Sequence, residues 1–307
     1  MSAFSIDLCI PYVSAGLKCL EFFIQNSLST ASHPERINFN ISYHSEDDLN
    51  HLKSSSCFNK VSKVIFTKPY SENILFFTSA NHSLAINNLA LSSNSEIVIF
   101  SDYDMAFIKS GWDVFIENEL LISHTGIAGV AYQPLSMSLN HPVLNNFIPW
   151  LKDIKCVKYQ NLPNLSFFCI KRDVLLKFFN RRLTNFNEFL LTAGVPFRLI
   201  NTQKLSTVNN LPLGTMQWLD TGYEIPEIIY DNKIKFRTFI PADYNQQDIL
   251  DYASSQHNAI FLPEVFFIDP HTPFLCHFKK GTAKMGISGG DFEFDKFKFC
   301  VDKFLND

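Results

Sequence analysis

Two carboxylates, Asp102 and Asp104, stand one residue apart at the end of the run Glu96-Ile97-Val98-Ile99-Phe100-Ser101-Asp102-Tyr103-Asp104. A short apolar run of this kind reads as a buried strand. Alternate side chains leave a strand on the same face, so both acids would emerge together at its exit. Paired carboxylate oxygens suit a hard divalent cation such as Mg²⁺ or Mn²⁺, whose remaining positions would take water and diphosphate oxygens. A cation held there would neutralise charge building on a departing diphosphate. The plainer reading is a pair of solvated loop acids; the buried run directly ahead of them favours the metal.

The elements that must position these acids follow from periodicity. Ile6, Leu8 and Ile10 alternate with Asp7 and Cys9 until Pro11, which predicts a first strand followed by a loop to Gly16. Leu17 to Leu28 reads as a helix with Leu17, Leu20, Ile24 and Leu28 on one stripe. Strands are expected at Asn38 to Tyr43 and Val61 to Thr67, separated by a polar segment from His44 to Asn50. Thr78 to Leu91 reads as a helix with Ala80, Leu84, Asn87 and Leu91 on one face, and Ile97 to Phe100 as a central parallel strand. This β-α-β-β-α-β order is that of a doubly wound sheet, whose ligands sit beyond the carboxyl ends of the strands. Tyr12, the Glu46 region and the two acids all fall at such ends.

Further along, Trp112 to Leu121 reads as a helix, Gly126 to Ala131 and Phe167 to Ile170 as strands, and Arg172 to Phe179 as a helix. Helices are also expected at Asn185 to Ala193 and from Asp220 to Asn232. Asn140 to Asn161, rich in Pro, Asn and aromatics, reads as an acceptor-side loop, and a charged, Phe-rich tail follows Gly281.

Composition narrows the classes. The 307 residues are 46% hydrophobic and carry a formal net charge of −4, which leaves no global basic field for nucleic acid. The 31 phenylalanines exceed ordinary usage and are read as core, with a share available for an apolar groove or membrane surface. Seven scattered cysteines without a C-x-x-C pair read as reduced thiols. With no recognisable signal peptide and no run near the roughly 20 apolar residues of a membrane span, the expected place is the cytoplasm, with peripheral membrane contact left open. G-x-S-x-G, P-loop and G-x-G-x-x-G patterns are absent from the sequence, so hydrolase, phosphate-loop and dinucleotide readings lack their local geometry.

From Ala85 to Asp104 the chain resembles the GT-A glycosyltransferases, particularly the family-2-like group. Asn87 matches the helix asparagine, Ser92 to Glu96 the link, and Asp102-Tyr103-Asp104 the Asp-x-Asp motif that closes the apolar strand. Ile86 stands where an arginine is usual, Ser95 where a glycine is usual, and Ser45-Glu46-Asp47-Asp48 is an altered form of the acidic signature after the second strand.

The resemblance implies an α/β fold of GT-A (Rossmann-like) type, a mixed sheet flanked by helices in a single domain over residues 1–285. Residues 1–110 would form its nucleotide-sugar half and residues 111–285 its acceptor half, with residues 286–307 as a C-terminal tail. It implies a metal-dependent glycosyltransferase, inverting, moving a sugar from a nucleotide-sugar donor to a glycan or lipid-linked glycan acceptor. Asp104 would hold Mn²⁺ or Mg²⁺, with Asp102 on the metal or the ribose. The late histidine His277 would complete the shell, with His271 as the spare. Pro11, Tyr12, Glu46, Asp47, Asn87, Ser101, Asp102, Tyr103 and Lys279 would contact the nucleotide, with Lys280 beside Lys279. Asp220 would take the acceptor proton. Glu224, one helical turn later, competes for that role, and helix capping is the ordinary use of such residues. A sugar nucleotidyltransferase or a non-catalytic glycan-binding protein are the other readings. The first would want a richer glycine-lysine loop than Pro11 to Gly16.

Overall fold

The computed structural model describes residues 4–12, 16–68, 78–131, 162–179, 190–191, 198–199, 225–241, 264–278 and 290–306. Four parallel strands form one half of its main sheet: β1 (Ile6–Pro11), β2 (Ile37–Ser42), β3 (Lys63–Thr67) and β4 (Ile97–Ser101). β1 lies between β2 and β4, in registers Ile6↔Ile37 and Ile6↔Ile97. The chain moves outward from β1 to β2 to β3 and then returns to the other side of β1. That reversal creates a crevice at the carboxyl ends of β1 and β4.

The sheet continues with mixed directions. β5 (Met105–Phe107), β6 (Ile127–Ala131), β7 (Pro163–Lys171), β10 (Phe236–Pro241), β11 (Glu264–Asp269) and β12 (Thr272–His277) complete it. The full order is β3-β2-β1-β4-β7-β6-β10-β11-β12-β5. β7 runs antiparallel to β4, and β12 runs antiparallel to both β11 and β5. Two short strands, β8 (Leu190–Leu191) and β9 (Arg198–Leu199), pair separately.

Strand residues alternate between two apolar layers, as a sheet covered on both faces requires. Leu8, Ile10, Ile97 and Ile99 point into one layer, and Cys9, Val98 and Phe100 into the other. The first layer is closed by helix α1 (Leu17–Thr30) through Leu20, Phe23 and Ile24. After α2 (Glu46–Ser54) come α3 (Thr78–Ser92), α4 (Trp112–Glu117), α5 (Arg172–Phe178) and α6 (Ile225–Asp231). α3, α5 and α6 close the second layer with Ile86, Leu89, Leu175, Ile225 and Ile229. The Phe-rich end of the chain is a helix, α7 (Gly290–Asn306), whose Phe297 and Val301 return to the first layer. The phenylalanines of this layer are core: Phe107 stacks on Trp112 at 4.0 Å between ring centres, and Phe239 meets Phe274 at 4.5 Å. Burying each such ring is worth about 1.5–3 kcal/mol. Among the described residues no helix is long and apolar enough to cross a membrane.

Several local expectations need correction. Asn87 of the expected α3 stripe is buried, but the apolar inward face is Ala85, Ile86, Leu89 and Ala90, while Leu91 is 43% exposed, because the covering sheet shifts the buried face round the helix. The polar segment after β2 is the helix α2, started by a capping box in which Ser45 and Asp48 satisfy each other's backbone N–H groups. Within the expected helix from Asn185 to Ala193, Leu190–Leu191 is a strand, paired to Arg198–Leu199. Of the helix expected from Asp220 to Asn232, Ile225–Asp231 is helical, while residues 220–224 and the expected loop Asn140 to Asn161 lie outside the described residues.

β4 is held at its start by a buried carboxylate. Asp7 accepts hydrogen bonds from the backbone N–H of Asn94 (3.0 Å) and Ser95 (3.2 Å), the Ser95 hydroxyl (2.6 Å) and the Asn38 amide (2.9 Å). Asp7→Ala should lower unfolding free energy by about 3 kcal/mol, since it leaves several buried donors unsatisfied. Urea denaturation monitored by tryptophan fluorescence checks this; an unchanged midpoint would show that water replaces the carboxylate without loss.

Candidate metal centre

β4 ends at Ser101, and the chain turns through Asp102, Tyr103 and Asp104 before entering β5. The two acids are therefore brought together by a tight turn rather than by strand alternation. The turn is pinned on three sides. Asp102 N–H donates to the Ser166 carbonyl (2.9 Å), and Phe278 N–H donates to the Asp104 carbonyl (2.7 Å). Tyr103 is buried, with its ring 5.9 Å from that of Tyr12 and packed directly over the backbone of Gly16. A Cβ on Gly16 would run into the ring of Tyr103, so that position needs a residue without a side chain.

The third member of the cluster comes from the other end of the chain. β5 pairs antiparallel with β12 in register Met105↔His277, which sets His277 beside Asp104. β5 is itself clamped on its other side by Asn26 of α1. The Asn26 side chain donates to the Phe107 carbonyl (2.9 Å) and accepts from the Phe107 N–H (2.6 Å). His277 Nε2 lies 3.4 Å from Asp104 Oδ1. Asp102, Asp104 and His277 each present one ligand atom, and these atoms all lie within 4.8 Å of one another.

Burial is uneven across the cluster. The side chains of Asp104 and His277 are 9% and 12% exposed, while that of Asp102 is 33% exposed. A cation here would have two protein walls and an open side. The donor set, two carboxylates and one imidazole, suits Mn²⁺ and also admits Mg²⁺.

The electrostatics fit a cation site. Burial is the main cause that pushes the Asp102 carboxyl up, with the charge of Asp104 adding to it; His82 and His277 oppose the shift. Burial alone would lower His277. The charge of Asp104, hydrogen bonds with Asp104 and Glu264, and the charge of Asp102 outweigh it and push His277 up to about 10. Without metal, the positive charge among these acids is therefore carried by the imidazolium.

Two neighbours of the cluster were not singled out from the sequence. His82, in the second turn of α3, has Nε2 3.7 Å from Asp102 Oδ1. Glu264 faces His277 across the β11–β12 hairpin, with Oε2 3.2 Å from Nδ1. The hairpin gives a usable signal for Glu264: counting outward from Pro270-His271, Asp269 meets Thr272 and Glu264 meets His277. His271 occupies that turn, about 20 Å of strand from His277, too far to share its ligands.

The other expected site residues lie as follows. Pro11 is the last residue of β1, and Tyr12 follows it, fully buried, its N–H donating to the Ser42 carbonyl (2.8 Å). Burial, with the charges of Asp48 and Glu21, pushes the Tyr12 phenol up. Glu46 and Asp47 are exposed in the first turn of α2, Glu46 paired to Lys68 at 3.3 Å. Asn87 is buried on α3. Ser101 is buried at the end of β4, its hydroxyl donating to the Asp102 carbonyl (2.9 Å). Asp220, Glu224, Lys279 and Lys280 lie outside the described residues. The cysteines among the described residues are free thiols.

No family model matches this chain, and no curated protein matches it. Solved structures do. A mannosyltransferase from Pyrobaculum calidifontis, in complex with GDP-mannose and Mn²⁺, aligns with 98% of this chain and 74% of its own, at 9% identity and a TM-score of 0.44. Glucosyl-3-phosphoglycerate synthase from Mycobacterium tuberculosis aligns with 57% of this chain at 15% identity and a TM-score of 0.34. The same synthase with Mn²⁺, UDP-glucose and phosphoglyceric acid gives 13% and 0.33. This chain spans 59% of the synthase's length. A likeness at these values has no bearing on what this chain binds.

Two outcomes are expected. Gly16→Ala should displace Tyr103 and with it the acid-bearing turn, weakening Mn²⁺ binding by about tenfold or more in calorimetric titration while far-UV circular dichroism stays unchanged. Mn²⁺ affinity should also rise with pH between 6 and 8, by up to about tenfold per unit, because binding must release the proton that His277 holds up to about 10. A flat affinity across that range would contradict the charge state assigned to His277.

Proposed function

We propose that this chain is a metal-dependent glycosyltransferase of the GT-A type, taking a nucleotide-sugar donor. One observation carries the reading: Asp102, Asp104 and His277 converge within 4.8 Å where β4 ends, at the crevice made by the reversal of strand order beside β1. Open α/β sheets bind ligands at such a crevice. Asp102, Asp104 and His277 would hold Mn²⁺ or Mg²⁺, which when bound neutralises charge on the diphosphate leaving group.

The chain's own residues supply the remainder. Residues 1–110 form the donor half, with Asp102 more exposed than Asp104 and so better placed toward ribose and phosphate. His82 stands beside Asp102 and offers a further donor to an anionic group. Residues 111–285 form the acceptor half. Asp220, or Glu224 in its place, accepts the proton of the acceptor hydroxyl. That oxygen bonds to the anomeric carbon while the bond from carbon to diphosphate oxygen breaks, with inversion. Lys279 would meet the diphosphate as a point charge. The acceptor is a glycan or lipid-linked glycan, and the place of action is the cytoplasm or the membrane surface facing it.

A thermal-shift series tests the reading. A nucleoside diphosphate should stabilise the chain only when Mn²⁺ is present, by about 2.7 kcal/mol at a hundredfold excess over Kd, over and above the shift that Mn²⁺ gives by itself. Asp104→Ala should abolish that stabilisation. Asp220→Ala should retain it and lose turnover of the donor. Full activity in Asp104→Ala would overturn the metal assignment, and indifference to every nucleotide and metal combination would overturn the transferase.

A further inference from the structure

We infer that Glu264 is a positioning residue that fixes the tautomer and ring orientation of His277, so that Nε2 presents its lone pair to the cation site; this rests on the metal reading proposed above. The two residues are directly opposed in the antiparallel β11–β12 pair. Glu264 Oε2 is 3.2 Å from Nδ1, and Nε2 on the opposite edge of the ring is 3.4 Å from Asp104 Oδ1. The imidazole therefore lies between two carboxylates that make opposing demands. A carboxylate cannot donate, so Nδ1 must carry a hydrogen to bond Glu264. In a neutral ring that leaves Nε2 as the acceptor, which is the form a metal needs. Asp104 alone would favour the other tautomer, with the hydrogen on Nε2 and no lone pair for a cation. Without metal the ring carries both hydrogens; when a cation displaces the one on Nε2, Glu264 holds the other on Nδ1. The His277 and Glu264 side chains are only 12% and 26% exposed, so water has little room to replace the contact. A carboxylate behind a ligating histidine also makes the ring a better donor, and loss of such a partner costs about 10- to 100-fold in metal affinity.

The test uses the full chain with three variants, Glu264→Gln, Glu264→Leu and Asp104→Ala. Mn²⁺ affinity is measured by calorimetry, the His277 Nδ1–H and its hydrogen bond by ¹H–¹⁵N NMR with Mg²⁺ bound, and thermal stability in chelator. Gln keeps a carbonyl acceptor without the charge. Glu264→Gln should retain the Nδ1–H tautomer and lose at most about fivefold in affinity. Glu264→Leu should lose the hydrogen-bonded Nδ1–H signal and about 10- to 100-fold in affinity. Equal affinity loss in Gln and Leu variants, tracking their loss of stability in chelator, would reduce Glu264 to a hairpin contact and overturn the inference. Wild-type Mn²⁺ affinity in Glu264→Leu, alongside lost binding in Asp104→Ala, would overturn it too while sparing the metal site. Failure of the wild-type chain to bind Mn²⁺, or unchanged binding in Asp104→Ala, would sink the metal reading itself. If Glu264→Leu does not fold, the NMR tautomer of wild type and Glu264→Gln decides: an Nε2–H ring in wild type overturns the inference.

Discussion

The antiparallel contact between β5 and β12 carries more of this structure than its length suggests. It joins a segment near residue 105 to one near residue 277, and it alone places an imidazole beside Asp104. Main-chain hydrogen bonds set the register, and a slip of one residue would turn His277 to the other face of the sheet. The register is defended from both sides. Asn26 grips the free edge of β5 through both its amide atoms, and Phe278 N–H closes on the Asp104 carbonyl just past the end of β12. Each of these bonds is worth only about 1 kcal/mol net, but leaving any of them unmade in a buried site would cost more.

The acid-bearing turn depends on packing as much as on charge. Tyr103 sits between two acids that must face the crevice, and its ring goes the other way, inward over Gly16 and against Tyr12. A large buried ring in the middle of the turn fixes the directions of its neighbours. Tyr103 thus contributes by anchoring the turn, and the same contact ties the end of β4 to the start of α1. At the opposite end of β4, Asp7 gathers the link from α3 into the sheet. The strand that delivers the acids is therefore held at its exit by a packed ring and at its start by buried hydrogen bonds.

Acidic residues in this chain serve two different purposes, and local sequence does not separate them. Ser45-Glu46-Asp47-Asp48 looks as chemically capable as Asp102-Tyr103-Asp104. Asp48 is used by the capping box, its carboxylate accepting from the N–H of Ser45 (2.9 Å), while the acids of the first turn of α2 complement the positive end of that helix. Asp102 and Asp104 have no helix to cap, and they share their space with an imidazole. What separates the two groups is the neighbour drawn in from far along the chain.

The sequence by itself determined the local layer of this protein. The alternation at β1 marked a first strand, the apolar run at β4 marked a central one because both of its faces must be covered, and two acids directly after β4 marked a strand exit facing a crevice. The stripe of α3 was misread because helical periodicity permits more than one apolar face, and only the covering sheet selects Ile86, Leu89 and Ala90. The link between Asp102, Asp104 and His277 is suggested by family resemblance, whereas Glu264 is not singled out and His82 has no spacing to another histidine that marks a metal site. His82 meets Asp102 across twenty residues with no local signature, and Glu264 is legible only by counting back from the Pro270-His271 turn. Tertiary structure decided them, because the β-sheet register converts large separations along the chain into distances of a few ångströms.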